Sequence, residues 1–215
     1  MLKKTGKFSW VRVITLGVVL TFLLRLFVFE KFYIYSVSMS PTIQHKDWVW
    51  VTKFDYGYSR QSFPFRLPQT WNGRLFSRQP ERGDIAVFRS TKPWEKWPYV
   101  KRVIGLPGDK IALRDGRLFI NGNQVYRTEA GGWQAEDNKG HLHIYYQYVE
   151  ELPNGVRHKI IEIDDHHRHD NFDEIIVPEE YLFFMGDNRD ESEDSRGDLG
   201  LIPFENVIGR VRGRN

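Results

Sequence analysis

Two short segments of the sequence carry the residue types of a nucleophilic site. Ser36 and Ser38 lie in the hydroxyl-rich stretch 36–42, and Lys101 lies among apolar neighbours in the run 99–105. A serine hydroxyl must lose its proton as it attacks a carbonyl carbon, and a lysine accepts that proton only where an apolar site lowers the pKa of its amine. Ser–Lys pairs are a known variant of serine catalysis. The sequence offers both parts of such a site, although spacing alone does not pair Ser38 with Lys101.

Each part also has an ordinary interpretation. Ser, Pro and Thr favour turns, so the stretch 36–42 fits a linker, and most lysines in strands point to solvent. Arg-Gly-Asp occurs twice, at 82–84 and 196–198, and suggests cell adhesion. Because Gly-Asp is a natural way to turn into a strand, we predict no adhesion site.

The segment 186–196 is dense in Asp, Asn, Arg and Ser. If Asp190 is the first ligand of an EF-hand loop, Ser195 stands where glycine is required and Leu201 stands where the bidentate glutamate is required. The calcium interpretation therefore fails, and we expect a polar network.

A second polar run, 164–170, combines three aspartates with three histidines. Such a run can bind a divalent metal, but it falls between predicted strands, where a solvated charged loop is far commoner. We predict no metal site and no cofactor. The other histidines show no partner spacing and are expected to be surface or structural residues: His45, His141, His143 and His158.

The segment 13–29 predicts a membrane-spanning helix. A mostly apolar run of twelve residues from Val13 is followed, after Arg25, by four more apolar residues, which is about the length that crosses a bilayer. A buried core helix would show a polar face, and this segment has none. A cleavable signal peptide is the other alternative, but the bulky residues at 30–35 delay any small residue that could mark a cleavage site.

Charge orients the predicted helix. Lys3, Lys4, Lys7 and Arg12 precede it and Glu30 follows it, so the positive-inside rule places the N-terminus in the cytoplasm and the rest of the chain outside. The net charge is +3, so residues 13–215 carry −1 and the basic balance belongs to the tail. We therefore predict no nucleic-acid partner. The chain has no cysteine, which excludes disulfides, a thiol nucleophile and cysteine metal sites.

Beyond residue 30, short β-branched and aromatic runs are bounded by Gly, Pro, Asp or Asn, a pattern typical of strands. Asn121-Gly122 predicts a tight hairpin, because both residues tolerate positive φ. The fold class is therefore mainly β: one N-terminal transmembrane helix, then an antiparallel-sheet catalytic domain with an inserted smaller β lobe. The predicted strands are 48–51, 85–88, 99–104, 118–120, 124–126, 144–149, 158–163 and 181–185.

Two stretches, 56–82 and 131–140, are rich in turn residues and are predicted to be insertions. The predicted division is a cytoplasmic basic tail (1–12), a transmembrane helix (13–29), a catalytic β domain (30–114 and 178–215) and an inserted minor β lobe (115–177).

Four segments, in order along the chain, resemble the boxes of the bacterial type I signal peptidases, or leader peptidases, a Ser–Lys serine peptidase family. Residues 38–42 are similar to the serine box and 82–88 to the Arg-Gly-Asp strand box. Residues 101–109 are similar to the lysine box and 186–196 to the Gly-Asp-Asn-Arg box. The membrane helix and the β-rich body also suit this family.

The resemblance implies a role for each matching residue. Ser38 is the nucleophile and Lys101 the general base, and the Ser38 amide with the Ser36 hydroxyl forms the oxyanion hole. Ser192 is expected to hydrogen-bond and orient the Lys101 amine. The other supporting residues are Asp194 and Arg196 as an ion pair, with Asp187 and Arg189 holding the same loop. Tyr35 and Val37 depart from the Pro and Gly that the family often has, a change that removes no reacting group.

The function that the resemblance implies is the cleavage of N-terminal signal peptides from exported preproteins. The expected location is the cytoplasmic (inner) membrane, single-pass, with the catalytic domain on the outer or periplasmic side. Lipid is a second expected partner, since Met39, Trp48, Val49 and Trp50 could rest on the bilayer; contact with the secretion machinery stays open. Two alternatives remain: a conjugation-associated Ser–Lys peptidase, and a single-pass membrane β-domain binding protein.

Overall fold

The structure is a computed structural model that describes residues 10–63, 73–136 and 141–215. Most of the basic tail lies outside these residues, as do 64–72 of the first predicted insertion and 137–140 of the second.

The chain begins with one apolar helix, α1 (Trp10–Phe27), none of whose side chains is buried. Among the described residues it is the one helix long and apolar enough to cross a membrane. It begins three residues before the predicted segment and ends two before it, because Phe29 opens the first strand, β1 (Phe29–Tyr33).

Strands make up most of the remainder, which confirms the mainly β fold class. Strands 85–88 and 181–185 are confirmed residue for residue. After β1 the strands are β2 (Trp48–Thr52), β3 (Ile85–Phe88), β4 (Tyr99–Gly105), β5 (Lys110–Arg114), β6 (Arg117–Ile120), β7 (Asn123–Gln124), β8 (Tyr126–Glu136), β9 (Leu142–Glu151), β10 (Arg157–Glu162), β11 (Phe172–Ile176), β12 (Tyr181–Met185), β13 (Ile202–Pro203) and β14 (Val207–Arg214), with short 3-10 helices at Arg60–Ser62 and Phe204–Asn206.

The strands form three sheets. The largest has seven strands in the order β1-β2-β14-β3-β4-β12-β13, and its neighbours are antiparallel. The two smaller sheets are β10-β9-β8 and β11-β5-β6-β7. β5 pairs in a small sheet with β6, although the predicted division at residue 114 assigns it to the larger domain. The division into domains stays a prediction.

Two turn-rich segments take different conformations in the structure. The hairpin at Asn121-Gly122 is confirmed: both residues have positive φ, 54° and 79°, between β6 and β7. The first six residues of the predicted insertion at 131–140 continue β8, and the insertion itself stays a prediction. A register shift between Glu129 and Gly132 lets this strand keep pairing with β9 through a glycine-rich stretch.

Buried side chains support the large sheet from several directions. Alternate residues of β4 enter different clusters, since Val103 packs with Phe88 while Ile104 packs with Phe183. A third cluster, which includes Met39 and Val87, lies beneath the segment that carries Ser38. Ser38 and β4 therefore rest on closely packed supports.

Candidate active site

Ser38 lies in a tight turn after β1. The turn is closed by backbone hydrogen bonds from the Ser40 amide to the Val37 carbonyl (2.9 Å) and from the Ile43 amide to the Met39 carbonyl (2.8 Å). Met39 and Ile43 are almost fully buried and anchor the turn in the core. Ser38 is itself only 4% exposed, so its hydroxyl is held in place by packing.

Lys101 lies on β4 and faces this turn. Its Nζ atom is 2.5 Å from the Ser38 Oγ atom, and the residue is 3% exposed. Burial disfavours the ammonium form and lowers the pKa of Lys101 to about 8, although the negative charges of Asp194, Asp187 and Glu193 oppose this shift. At pH 7 about a tenth of the amine is therefore neutral, far more than for a lysine with the ordinary pKa of about 10.4.

The loop after β12 lies against the serine turn. The Asn188 amide donates to the Ser38 carbonyl at 3.1 Å. A Cβ atom at Gly186 would lie 2.2 Å from the Ser192 Oγ atom and 2.5 Å from the Ser38 carbonyl oxygen. Only glycine permits this approach, so the Gly-Asp-Asn-Arg segment begins with a residue that brings the loop against the serine.

Asp194 and Arg196 form a buried ion pair in this loop. The guanidinium donates to both carboxylate oxygens, at 2.9 and 2.8 Å, and the Gly186 amide donates to the same carboxylate at 2.9 Å. Burial alone would raise the pKa of Asp194, but Arg196 outweighs it and the pKa falls to about 2. Asp194 therefore stays ionised and holds the loop closed. The buried Ser192 hydroxyl interacts with the Asp194 carboxylate and helps to lower the pKa of Asp194, and among the described residues it forms no hydrogen bond to Lys101.

Asp187 and Arg189 connect the loop to other elements and not to each other. Arg102, next to Lys101 on β4, donates to both oxygens of Asp187 at 2.8 and 2.6 Å. Arg189 donates to both oxygens of Glu150 on β9 at 2.8 and 2.5 Å. Bidentate pairs of this kind fix geometry as well as charge. They hold the loop to the lysine strand on one side and to β9 on the other.

The two expected oxyanion donors contact each other. The Ser38 amide donates to the Ser36 Oγ atom at 3.1 Å. In this arrangement the Ser38 N–H already donates to the Ser36 Oγ atom, so it is not available to donate to an oxyanion. The hydroxyl must therefore rotate before both groups can donate to one oxygen.

A groove opens beside Ser38 and Lys101. It is a cavity of about 840 Å³ whose walls come from the segment that follows β1, including Ile34 and Tyr35, and from the start of β4, including Tyr99 and Val100. β12 pairs with β4 from Arg102 onward. Tyr99-Val100-Lys101 therefore offers a backbone edge along the groove that could pair with an extended peptide.

The expected lipid-facing residues divide into two groups. Met39 and Val49 are buried, at 1% and 0% exposed, so their assignment to a membrane surface is wrong, because both pack into the cluster under the serine turn. Trp48 and Trp50 are 42% and 37% exposed and share the Lys31 ammonium, which lies 4.9 and 5.1 Å from their ring centroids.

The run 164–170 bonds within its own loop and also to other elements, since Asp165 pairs with Arg117 at 3.3 Å and with Arg127 at 2.8 Å. Asp164 accepts from the His166 amide at 2.7 Å and Asp170 accepts from the His167 amide at 2.6 Å. Arg168 extends to Glu193 at 3.1 Å. Within residues 10–63, 73–136 and 141–215, no three His, Asp or Glu side chains gather as a metal site would require.

Comparison with known proteins decides the family. The sequence model described as "Signal peptidase, peptidase S26" matches residues 7–214. The chain belongs to the signal peptidase S26 family. The resemblance drawn from the four boxes is thereby confirmed, and the chain is a peptidase with one apolar helix at its N-terminus.

Relatives in this family match along nearly the whole chain. Signal peptidase I of Rickettsia akari (strain Hartford) is 40% identical over 216 residues, covering 97% of this chain and 79% of that protein. Signal peptidase I of Rickettsia prowazekii (strain Madrid E) is 40% identical over 214 residues, covering 96% of this chain and 77% of that protein. A crystal structure of a signal peptidase I from Enterococcus faecalis V583 covers 63% of this chain and 98% of its own, at 26% identity and a TM-score of 0.37, which is too low to bear on the fold.

Three residues of this signal peptidase site were missed in the sequence. Arg102 had a signal only in its position, because it adjoins Lys101 in the segment similar to the lysine box. Glu150 had none, since it lies in an ordinary strand far from any box. His158, expected at the surface or in a structural role, is buried with its Nε2 atom 3.5 Å from Glu150, and burial lowers its pKa to about 4.

Proposed function

We propose that this protein is a membrane-anchored serine endopeptidase that removes N-terminal signal peptides from exported preproteins, with Ser38 as nucleophile and Lys101 as general base. The observation that carries the proposal is the 2.5 Å contact of the Ser38 hydroxyl with a buried lysine amine. Membership of a peptidase family favours this reading over the single-pass binding protein.

The reaction follows from the state of the Lys101 amine. As the Ser38 Oγ atom attacks the scissile carbonyl carbon, its proton passes to the neutral Lys101 amine. When the carbon–nitrogen bond breaks, the Lys101 ammonium returns that proton to the leaving amine, and the signal peptide remains as an ester on Ser38. Water then attacks the ester and gives a proton to Lys101, and the Ser38 hydroxyl is restored. No step needs a metal or a cofactor.

The charge that develops on the carbonyl oxygen needs donors. We assign this role to the Ser38 amide and the Ser36 hydroxyl. The Ser36 side chain must first rotate, because its Oγ atom now accepts a hydrogen bond from the Ser38 amide. Five residues of the loop after β12 act by positioning Ser38 and Lys101: Ser192, Asp194, Arg196, Asp187 and Arg189. The Arg196–Asp194 pair holds the loop closed, Asp187 ties it to β4, where Lys101 lies, and Arg189 ties it to β9.

The substrate is an extended segment beside β4. Its backbone would pair with the free edge of Tyr99-Val100-Lys101, and its side chains would alternate into the apolar groove. We propose small residues at the first and third positions before the cut, because these two side chains point to the same side of an extended chain. The preprotein is cut on the outer or periplasmic side of the cytoplasmic (inner) membrane, with α1 spanning it and the N-terminus in the cytoplasm.

Replacement of Ser38 tests the proposal directly. Ser38→Ala should lower the cleavage of a preprotein in detergent by about 10³-fold or more, because among the described residues it is the Ser38 hydroxyl that is hydrogen-bonded to the Lys101 amine. Ser40→Ala is the matched control: Ser40 is as buried as Ser38 and belongs to the same turn, and this variant should cleave at close to the wild-type rate. Unchanged turnover by Ser38→Ala would return Ser38 to a linker role.

A further inference from the structure

The end of the membrane helix is bound to the sheet without a flexible linker. α1 ends at Phe27 and β1 begins at Phe29, so a single residue, Val28, separates them. The helix buries no side chain along its length. Its position relative to the sheet is therefore set by what holds its C-terminal end.

Two side chains of the body bond to the last carbonyl groups of α1. The Lys53 Nζ atom donates to the Arg25 carbonyl at 3.2 Å and to the Leu26 carbonyl at 3.5 Å. The Tyr58 hydroxyl donates to the Phe27 carbonyl at 2.8 Å. The last four carbonyls of a helix lack partners within it, and a cation there also interacts favourably with the helix dipole. The body thus caps the helix.

Lys53 is not a surface lysine. Its side chain is 0% exposed, its Nζ atom is 2.9 Å from the Glu30 carboxylate on β1, and its amide donates to the Val28 carbonyl at 2.9 Å. A lysine is almost never fully buried unless it is paired. We call Val28, Glu30, Lys53 and Tyr58 the helix joint.

The helix joint and the candidate nucleophile lie at opposite ends of one strand pair. β1 pairs with β2 from Phe29–Thr52, beside the joint, to Tyr33–Trp48, from which the chain continues to Ser38. A five-residue strand spans about 17 Å. Because both ends of the pair are held, the angle of the helix also sets the height of Ser38 above the membrane.

We propose that the helix joint is a positioning device that fixes the height of Ser38 over the bilayer and so selects which peptide bond of a membrane-inserted substrate is cut. The inference rests on the proposed function. A signal peptide held in the membrane presents each bond at a set distance from its apolar segment. An enzyme at fixed height reaches one of them, whereas an enzyme on a loose helix reaches several.

The test uses full-length protein in lipid vesicles and two substrates. One is a membrane-inserted preprotein with two cleavable sites in tandem, and the other is a short soluble peptide with one site. The variant Lys53→Met with Glu30→Gln removes the cap without leaving a buried charge. The control Arg127→Met with Glu162→Gln removes a buried ion pair between β8 and β10. Neither residue belongs to the joint or lines the groove, and the second partner of Arg127, Asp165, is partly exposed.

The joint variant should cut both tandem sites, and its preprotein turnover should fall by about tenfold or more relative to its peptide turnover, because misplacement by 1 Å can cost about 10²-fold. The control should keep the wild-type site and ratio. Tyr58→Phe loses one hydrogen bond and keeps the ring, so it should show a smaller change in the same direction. If the double variant does not fold, the result for Tyr58→Phe tests the proposal.

Wild-type site choice and ratio in the joint variant would overturn the proposal, and so would an equal loss on both substrates, which would make Lys53 a stability residue alone. If the double variant does not fold, a wild-type ratio in Tyr58→Phe would do the same. Failure of the proposed function is a separate result. It would appear as cleavage of the soluble peptide by Ser38→Ala.

Discussion

Lys53 and Lys101 are two buried lysines with different surroundings. They are 0% and 3% exposed. Lys53 directly follows β2 and Lys101 lies on β4, and both strands belong to the seven-stranded sheet. Lys53 meets the Glu30 carboxylate and two helix carbonyls. Lys101 meets the Ser38 hydroxyl, and among the residues that the structure describes it forms no ion pair. One lysine is bound as a cation, whereas the other is left beside a group that can give it a proton.

The difference shows how the partner decides the role of a buried amine. Burial lowers the pKa of both lysines, because the charged form loses its hydration. At Lys53 a hydrogen bond from the amine to Glu30 opposes this effect. At Lys101 the opposing carboxylates act through charge alone, and the pKa falls to about 8. A buried lysine that lacks a bonded carboxylate is thus the candidate base, and one that has such a carboxylate is structural.

Arginine substitution gives the largest expected contrast between the two sites. Lys101→Arg keeps a cation but cannot deprotonate, so peptide cleavage should fall by about 10³-fold or more, as for Lys101→Ala. Lys53→Arg keeps the cation that Glu30 and the helix carbonyls bind, and it should retain most soluble-peptide cleavage. The measurement is kcat/KM on a short peptide in detergent. Near wild-type cleavage by Lys101→Arg would remove Lys101 as the base.

The pH dependence of cleavage should report Lys101 and not Lys53. Below a pKa of about 8, the neutral fraction of the amine falls about tenfold per pH unit, so kcat/KM should rise with pH and level off above that value. Wild type and the joint variant (Lys53→Met with Glu30→Gln) should give the same midpoint on the soluble peptide. A flat profile, or a midpoint near the ordinary lysine value of about 10.4, would show that Lys101 is not a desolvated base.

The sequence was most informative where chemistry and local pattern coincide. Strands 85–88 and 181–185 and the Asn121-Gly122 hairpin follow from β-branched and aromatic runs and from turn residues, and the structure has them at these positions. Resemblance named Ser38 and Lys101, which the structure brings to 2.5 Å. Their juxtaposition could not be derived from spacing, because it depends on the pairing of strands distant in sequence.

Contacts that depend on tertiary structure escaped prediction. β1 was missed because its bulky aromatic residues directly follow an apolar helix, with no turn residue between them. Lys53 and Glu30 carry no motif, and their pairing exists only because β1 and β2 are neighbours. The same reason hides Glu150, whose partner Arg189 lies in a loop from another part of the chain. Charged residues in ordinary strands give no sign of burial until the fold is known.

Replacement of each lysine by methionine should change thermal stability in opposite directions. This effect is the smallest of those expected. The pKa of Lys101 falls from 10.5 to about 8, so burial of its ammonium group costs roughly 3 kcal/mol of folding free energy at neutral pH. Replacement of Lys101 removes this cost but also removes the hydrogen bond to Ser38, which stabilises the fold by about 1 kcal/mol. Lys101→Met should therefore be inactive and yet raise the apparent Tm in detergent by a few °C. Lys53→Met should lower it, because Glu30 is left without its buried partner.

The pH dependence of the Tm gain in Lys101→Met identifies its physical cause. Below about pH 8, Lys101 is protonated in both the folded and the unfolded chain, and the folded state carries the full cost. Between that pKa and the unfolded value of about 10.4, the unfolded chain binds more protons, so the wild-type contribution improves as pH rises. The Tm advantage of Lys101→Met should accordingly shrink between pH 8 and pH 10.5, when each variant is compared with wild type at the same pH. A constant advantage across this range would assign the gain to packing of the methionine side chain, and it would contradict a desolvated amine at Lys101.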